Sequence, residues 1–141
     1  FIIGYPEEND EDFKKTMELI DKVMFINSYS FIFSPRPGTV AAELELVDLK
    51  KSKERLEIIQ KKLFKNQIEK NKSFEGKILS VLVENRMKDG VKLFGRTEYM
   101  TSVIFDGNDD CIGKIMQVQI ISSNQNTLFG KLKESFKKKV A

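Results

Sequence analysis

The sequence predicts an α+β chain: a strand–helix–strand piece, a long basic helix, and a small five-stranded antiparallel barrel. Three observations carry this. Two short apolar or aromatic runs bracket a helical stripe in residues 1–33. Lysines then crowd a segment whose apolar residues recur at helical spacing. From Glu75 the hydrophobic period falls to two, broken by turn residues.

The elements follow in order. Phe1 to Tyr5 is an apolar run closed by Pro6 and reads as a strand already under way, so the chain is expected to be a C-terminal piece of a longer protein. Asn9 or Asp10 caps a helix whose first turn is acidic, which suits the positive end of the helix dipole. Phe13, Met17, Ile20 and Met24 make its apolar stripe. Ser28 to Phe33 is the second strand, and a βαβ unit of this length makes the two strands parallel. The loop Ser34-Pro35-Arg36-Pro37-Gly38-Thr39 leaves that strand's C-terminal end, where parallel sheets bind ligands. Its two prolines stiffen it around Arg36, which is either a held cation for a carboxylate or phosphate or the exposed residue of a rigid turn.

Asp48 caps a helix expected to run to about Ser73, with Leu49, Leu56, Ile59, Leu63, Phe64 and Ile68 on its docking face. In the last part, Leu79, Val81 and Val83 alternate with Ser80, Leu82 and Glu84. Strands are expected at Val91–Thr97, Ser102–Phe105, Gly113–Ile121 and Leu128–Leu132, with Asp89-Gly90, Asp106-Gly107-Asn108 and Asn124 to Asn126 turning the chain. Five short strands in so few residues indicate a barrel of the OB type. Lys137-Lys138-Lys139 is expected to be a basic tail.

Composition excludes several classes. The chain is 40% hydrophobic and 32% charged, with eight Gly and one Cys, so neither a collagen-like nor a disulfide-built protein fits. No apolar run nears the ~18–20 residues that cross a bilayer, and no membrane partner is expected. One thiol without a disulfide partner suits a reducing, cytoplasmic setting. With no His, imidazole acid–base catalysis and His metal ligation are absent, and no catalytic or metal-ligating set emerges. Cys111, beside Asp109 and Asp110, reads as an idle thiol.

The net charge of +3 hides an asymmetry. Residues 1–49 carry four bases against ten acids, residues 50–77 ten against four, and residues 78–141 ten against seven. The central block is either a polyanion footprint or a solvated helix face.

Several stretches resemble one family. Ile2-Ile3-Gly4-Tyr5-Pro6-Glu7-Glu8, then Asp12-Phe13 and Thr16, are similar to a strand and helix start of the radical-SAM tRNA methylthiotransferases. Tyr29 to Ala42 resembles that family's aromatic strand and its Ser-x-Arg-Pro-Gly-Thr-x-Ala-Ala loop, and Lys53-Glu54-Arg55-Leu56 its linker helix. Gly95-Arg96-Thr97-Glu98, Ile112-Gly113-Lys114 and Asn126-Thr127-Leu128 with Gly130-Lys131 resemble its TRAM domain. The likeness is to the MiaB-like branch, which modifies isopentenylated adenosine in the tRNA anticodon loop.

The resemblance implies that residues 1–47 end a radical-SAM (TIM-like) barrel, 48–73 are a basic linker helix, 74–137 are an RNA-binding TRAM barrel and 138–141 a basic tail. It implies S-adenosyl-L-methionine and two [4Fe–4S] clusters as cofactors. The cluster cysteines are absent from this chain, which alone is therefore expected to be inactive and to need the cluster domain and remaining barrel strands. It places Ile3, Gly4, Glu8, Phe33, Ser34 and Arg36 on the S-adenosyl-L-methionine side, and Arg96 and Lys131 on tRNA phosphate. The chain departs from the family at Glu7, where Gly is usual. At Tyr99 to Ser102 and at Phe129 a family arginine is missing, so weak tRNA binding is expected. A stand-alone RNA-binding module without activity, or a gene remnant, is the alternative.

Overall fold

The computed structural model describes residues 1–88 and 90–133. The chain divides into two compact units, Phe1–Gln67 and Ile68–Ala141, with the boundary inside one helix. The expected tail at Lys137 to Lys139, and Asp89 of the expected Asp89-Gly90 turn, lie outside the described residues.

In the first unit, β1 (Ile2–Ile3) pairs in parallel with β2 (Phe31–Ile32) across α1 (Asp10–Val23), as the βαβ spacing requires. Pairing is anchored by Phe31 N donating to Phe1 O and Phe33 N to Ile3 O. Asn9 is the N-cap of α1: its Oδ1 accepts from the amides of Glu11 and Asp12, and Asp12 Oδ2 accepts from Asn9 N. That reciprocal arrangement satisfies donors no helix turn can reach. Ile20 is fully buried, with Phe13 and Met17 packed beside it. Met24 does not join the stripe; it is the C-cap, at φ 52°, and is turned outward because the left-handed cap ends the helical period.

The second helix, α2 (Leu49–Lys72), starts where Asp48 Oδ1 accepts from Lys51 N at 2.9 Å. Leu56, Ile59 and Leu63 pack with Ile3 and Ile20 to form the first unit's core. The buried stripe differs from the expected one. Leu49, Phe64 and Ile68 are exposed, whereas Ser52, Arg55 and Asn66 are buried. Gly4 explains Ser52: an added Cβ there would lie 2.3 Å from Ser52 Oγ, so strand end and helix approach too closely for any side chain.

The second unit is a closed barrel of β3 (Ile78–Arg86), β4 (Lys92–Thr97), β5 (Ser102–Asp106), β6 (Ile115–Ser123) and β7 (Thr127–Leu132), in the ring order β3-β4-β5-β7-β6. The barrel is mixed rather than wholly antiparallel, because β5 and β7 pair in parallel. Parity requires this: strand direction cannot alternate all the way round a ring of five. The other four pairings are antiparallel. Register shifts at Val83/Asn85 on β3 and Ile120/Ser122 on β6 supply the bends that closure needs. Inward residues, among them Val81, Val83, Leu93, Val103, Phe105, Val118, Ile120 and Leu128, are at most 1% exposed. Cys111 is a half-buried free thiol packed against this core.

Candidate functional site

The expected cofactor residues separate into two places. Phe33, Ser34 and Arg36 come together on one cavity of about 680 Å³ at the C-terminal end of β2. Its remaining walls are Ile2 and Tyr5 from β1 and its turn, Phe31 and Ile32 from β2, and Thr39 and Ala41 from the loop beyond. The Tyr5 and Phe33 rings meet edge to face at 5.1 Å, giving an aromatic corner. Arg36 opens a turn in which Thr39 N and Oγ1 both donate to Arg36 O, with Pro37 and Gly38 between and Gly38 at φ 80°. Pro followed by a positive-φ Gly is the requirement of a type II turn, so the guanidinium is carried on a stiff, exposed support. Such a cavity can take a planar ring against aromatic walls, with a carboxylate or phosphate toward Arg36.

Ile3, Gly4 and Glu8 lie elsewhere. The Ile3 side chain is in the core, 1% exposed. Gly4, at φ 70°, donates its N–H to Glu8 Oε2 at 3.0 Å. The other oxygen of Glu8 accepts from Arg55 Nη1 at 2.6 Å, and Arg55 also reaches Asp10 Oδ1 at 2.6 Å. Asp10 in addition pairs with Lys51 at 2.9 Å. Hydrogen bonding to Lys51, then to Arg55, holds the Asp10 carboxyl below its ordinary value. This polar cluster fastens the turn after β1 to α2. Glu7, inside that turn, sits at φ 68° although it is not glycine.

On the barrel, Arg96 and Lys131 both project outward, from β4 and β7. Arg96 Nη1 contacts both oxygens of Glu84, at 3.0 and 3.3 Å, and its guanidinium lies 5.4 Å from the Phe94 ring centroid. Lys131 is exposed and is in register with Asp106. Ser102 and Phe129 share this outer surface and add no charge to it, as the sequence leads one to expect. The acidic neighbours of each cation moderate the field further.

Tyr5 and Phe31, two walls of the cavity, were not among the expected site residues. Their signal was aromatic character, in the residue range just after β1 and at the start of β2, which reads equally well as packing. Among the described residues no group of three or more His, Cys, Asp or Glu is placed to hold a metal ion. No described helix is long and apolar enough to cross a membrane.

Comparison with known proteins adds to this geometry. Residues 72–133 match the TRAM domain. The whole chain is 81% identical over 141 residues to a tRNA-2-methylthio-N(6)-dimethylallyladenosine synthase of Pelagibacter ubique (strain HTCC1062), covering 32% of that protein. A protein of the same description from Ruthia magnifica subsp. Calyptogena magnifica is 45% identical over 133 residues, 94% of this chain and 30% of its own length. One from Yersinia pestis (strain Pestoides F) is 41% identical over 132 residues, 92% of this chain and 28% of its own. The chain thus spans about a third of the length of the curated relatives it matches, in their C-terminal region.

Proposed function

Because the chain belongs to the tRNA methylthiotransferase family and corresponds to the C-terminal part of its relatives, we propose that it is the RNA-holding and cofactor-flanking part of such an enzyme. The reaction would add a methylthio group to N6-isopentenyladenosine in a tRNA anticodon loop, in the cytoplasm. The single observation behind this role is the likeness along all 141 residues, which includes both the aromatic cavity and the barrel.

The division of labour follows from the two units. Phe33, Ser34 and Arg36, with Tyr5, would hold the S-adenosyl-L-methionine side of the reaction. Ile3, Gly4 and Glu8 would support them by fixing the turn after β1. S-adenosyl-L-methionine and two [4Fe–4S] clusters would supply the radical chemistry when bound. A cluster needs three or four thiolates, and Cys111 is the one thiol of this sequence. The cluster ligands would therefore come from sequence outside these 141 residues, and this chain alone would not turn over. Arg96 and Lys131 would meet tRNA phosphate.

A second role has its own support. The barrel has its own core from Phe74 to Leu128 and is closed, which favours folding without the first unit, as a stand-alone RNA-binding module would require. Titrating the full chain with labelled tRNA, and separately with S-adenosyl-L-methionine, tests both. Weak, salt-sensitive tRNA binding together with S-adenosyl-L-methionine binding that Arg36→Ala lowers supports the enzyme part. RNA binding with no cofactor binding supports the stand-alone module. Absence of RNA binding overturns both.

A further inference from the structure

The sequence repeats one four-residue pattern, Leu93-Phe94-Gly95-Arg96 and Leu128-Phe129-Gly130-Lys131. The two copies lie on β4 and β7, the strands on either side of β5. In each copy Leu is buried and Phe and the cation project outward. The glycines are required: an added Cβ would lie 2.4 Å from Leu82 O at Gly95 and 2.5 Å from Val118 Cγ1 at Gly130. Register places Phe94 opposite Ile104 and Ile104 opposite Phe129, so the three form one row across the sheet. Two strand spacings, about 9.5 Å, separate the aromatic residues. β4 runs antiparallel to β5 and β7 parallel to it, so the cations fall on opposite sides of the row: Arg96 beside Ser102, Lys131 beside Asp106.

All three row residues are partly exposed on the outer face, and Arg96 already lies against the Phe94 ring. An aromatic row between two cations is what a single-stranded nucleic acid requires: rings for base faces, charge for the backbone. Glu84 and Asp106 beside the cations weaken the phosphate contribution, which leaves the rings as the stronger source of affinity.

We propose that Phe94, Ile104 and Phe129 form a stacking platform for unpaired bases of RNA. Phe129 then contributes a ring face, and Lys131 two residues on contributes the charge. This role rests on the barrel's binding RNA at all, as proposed above.

The test uses the full chain and fluorescence anisotropy with three labelled RNAs: a short single strand, the same strand with abasic sites, and a blunt duplex. The single strand is expected to bind roughly tenfold more tightly than the abasic strand, which keeps every phosphate and lacks the base faces. Phe94→Leu and Phe129→Leu should each lose on the order of tenfold on the single strand, with an unchanged salt slope. Phe129→Tyr should retain binding, and Lys131→Ala should instead lower the salt slope. Equal binding of intact and abasic strands overturns the platform and leaves the RNA role standing; because that comparison leaves the protein unaltered, it holds even if a Leu variant misfolds. Absence of binding to all three RNAs overturns the RNA role itself and the platform with it.

Discussion

Arg55 Nη1 lies 2.6 Å from Glu8 Oε1, joining two residues 47 positions apart. Arg55 is 4% exposed, and Glu8 turns its second oxygen to the Gly4 amide. Removing one partner of a buried pair strands the other's charge, at about 3 kcal/mol or more. Arg55→Met is therefore expected to loosen the first unit. Hydrogen exchange read by mass spectrometry should show faster exchange in β1 and α1, with β3 to β7 unchanged. Arg55→Lys should not rescue, because an ammonium cannot fork between Glu8 and Asp10. Unchanged protection in α1 would refute the role.

Asp10 gives a pH dependence with a definite sign. Lys51 and Arg55 lower its carboxyl below the ordinary 3.8, so the folded state favours the ionised form. That contribution is fully present above the ordinary value and is lost as pH falls through the lowered one. Urea midpoints measured across the acid range should fall less steeply for Asp10→Asn than for the unaltered chain. Parallel curves would contradict this.

Glu7 occupies a left-handed backbone position in the turn closed by Glu8 N donating to Tyr5 O. Glycine pays no Cβ penalty there, so Glu7→Gly is expected to stabilise by roughly 0.5–1 kcal/mol. Glu7→Ala, which keeps the Cβ, should not. Denaturant titration followed by exchange at Gly4 and Glu8 distinguishes them.

Gly95→Ala and Gly130→Ala are expected to destabilise the barrel by about 2 kcal/mol each, since backbone and core atoms occupy the Cβ position. The thermal transition of the second unit should drop while exchange in α1 stays unchanged. A wild-type transition would mean the strands can part at no cost.

Glu84→Gln should free Arg96 and remove an acid from the outer face. Affinity for RNA should rise by about threefold at low salt, the scale of an exposed ion pair, and the salt dependence should steepen. Titration at two ionic strengths reads both.

Local signals were legible in the sequence. A cap at Asn9 or Asp10, which the structure resolves to Asn9, the parallel βαβ pairing and the five barrel strands follow from turn chemistry and period. The misreadings have a common cause. Ser52, Arg55 and Asn66 are polar, and a hydrophobic period cannot reveal polar residues that go inside. Arg55 is tolerated there because of Glu8 and Asp10, and Ser52 lies inside because Gly4 leaves room. Met24 looked like a stripe residue because its left-handed φ has no side-chain signature. At the cavity, the stiffness of the Arg36 turn was readable from Pro and Gly, and Tyr5 was missed because its edge-to-face meeting with Phe33 is made only across two strands.

The place of β7 in the ring, between β5 and β6, sets an order of events during synthesis. Of the barrel strands, β3, β4 and β5 leave the ribosome first, yet the ring cannot close until Thr127–Leu132 has emerged. Until then β5 and β6 expose unpaired edges, and the half-made barrel is open to pairing with another nascent chain. A mutation that delays or weakens β7 would thus reduce the yield of soluble protein more than it reduces the stability of molecules already closed.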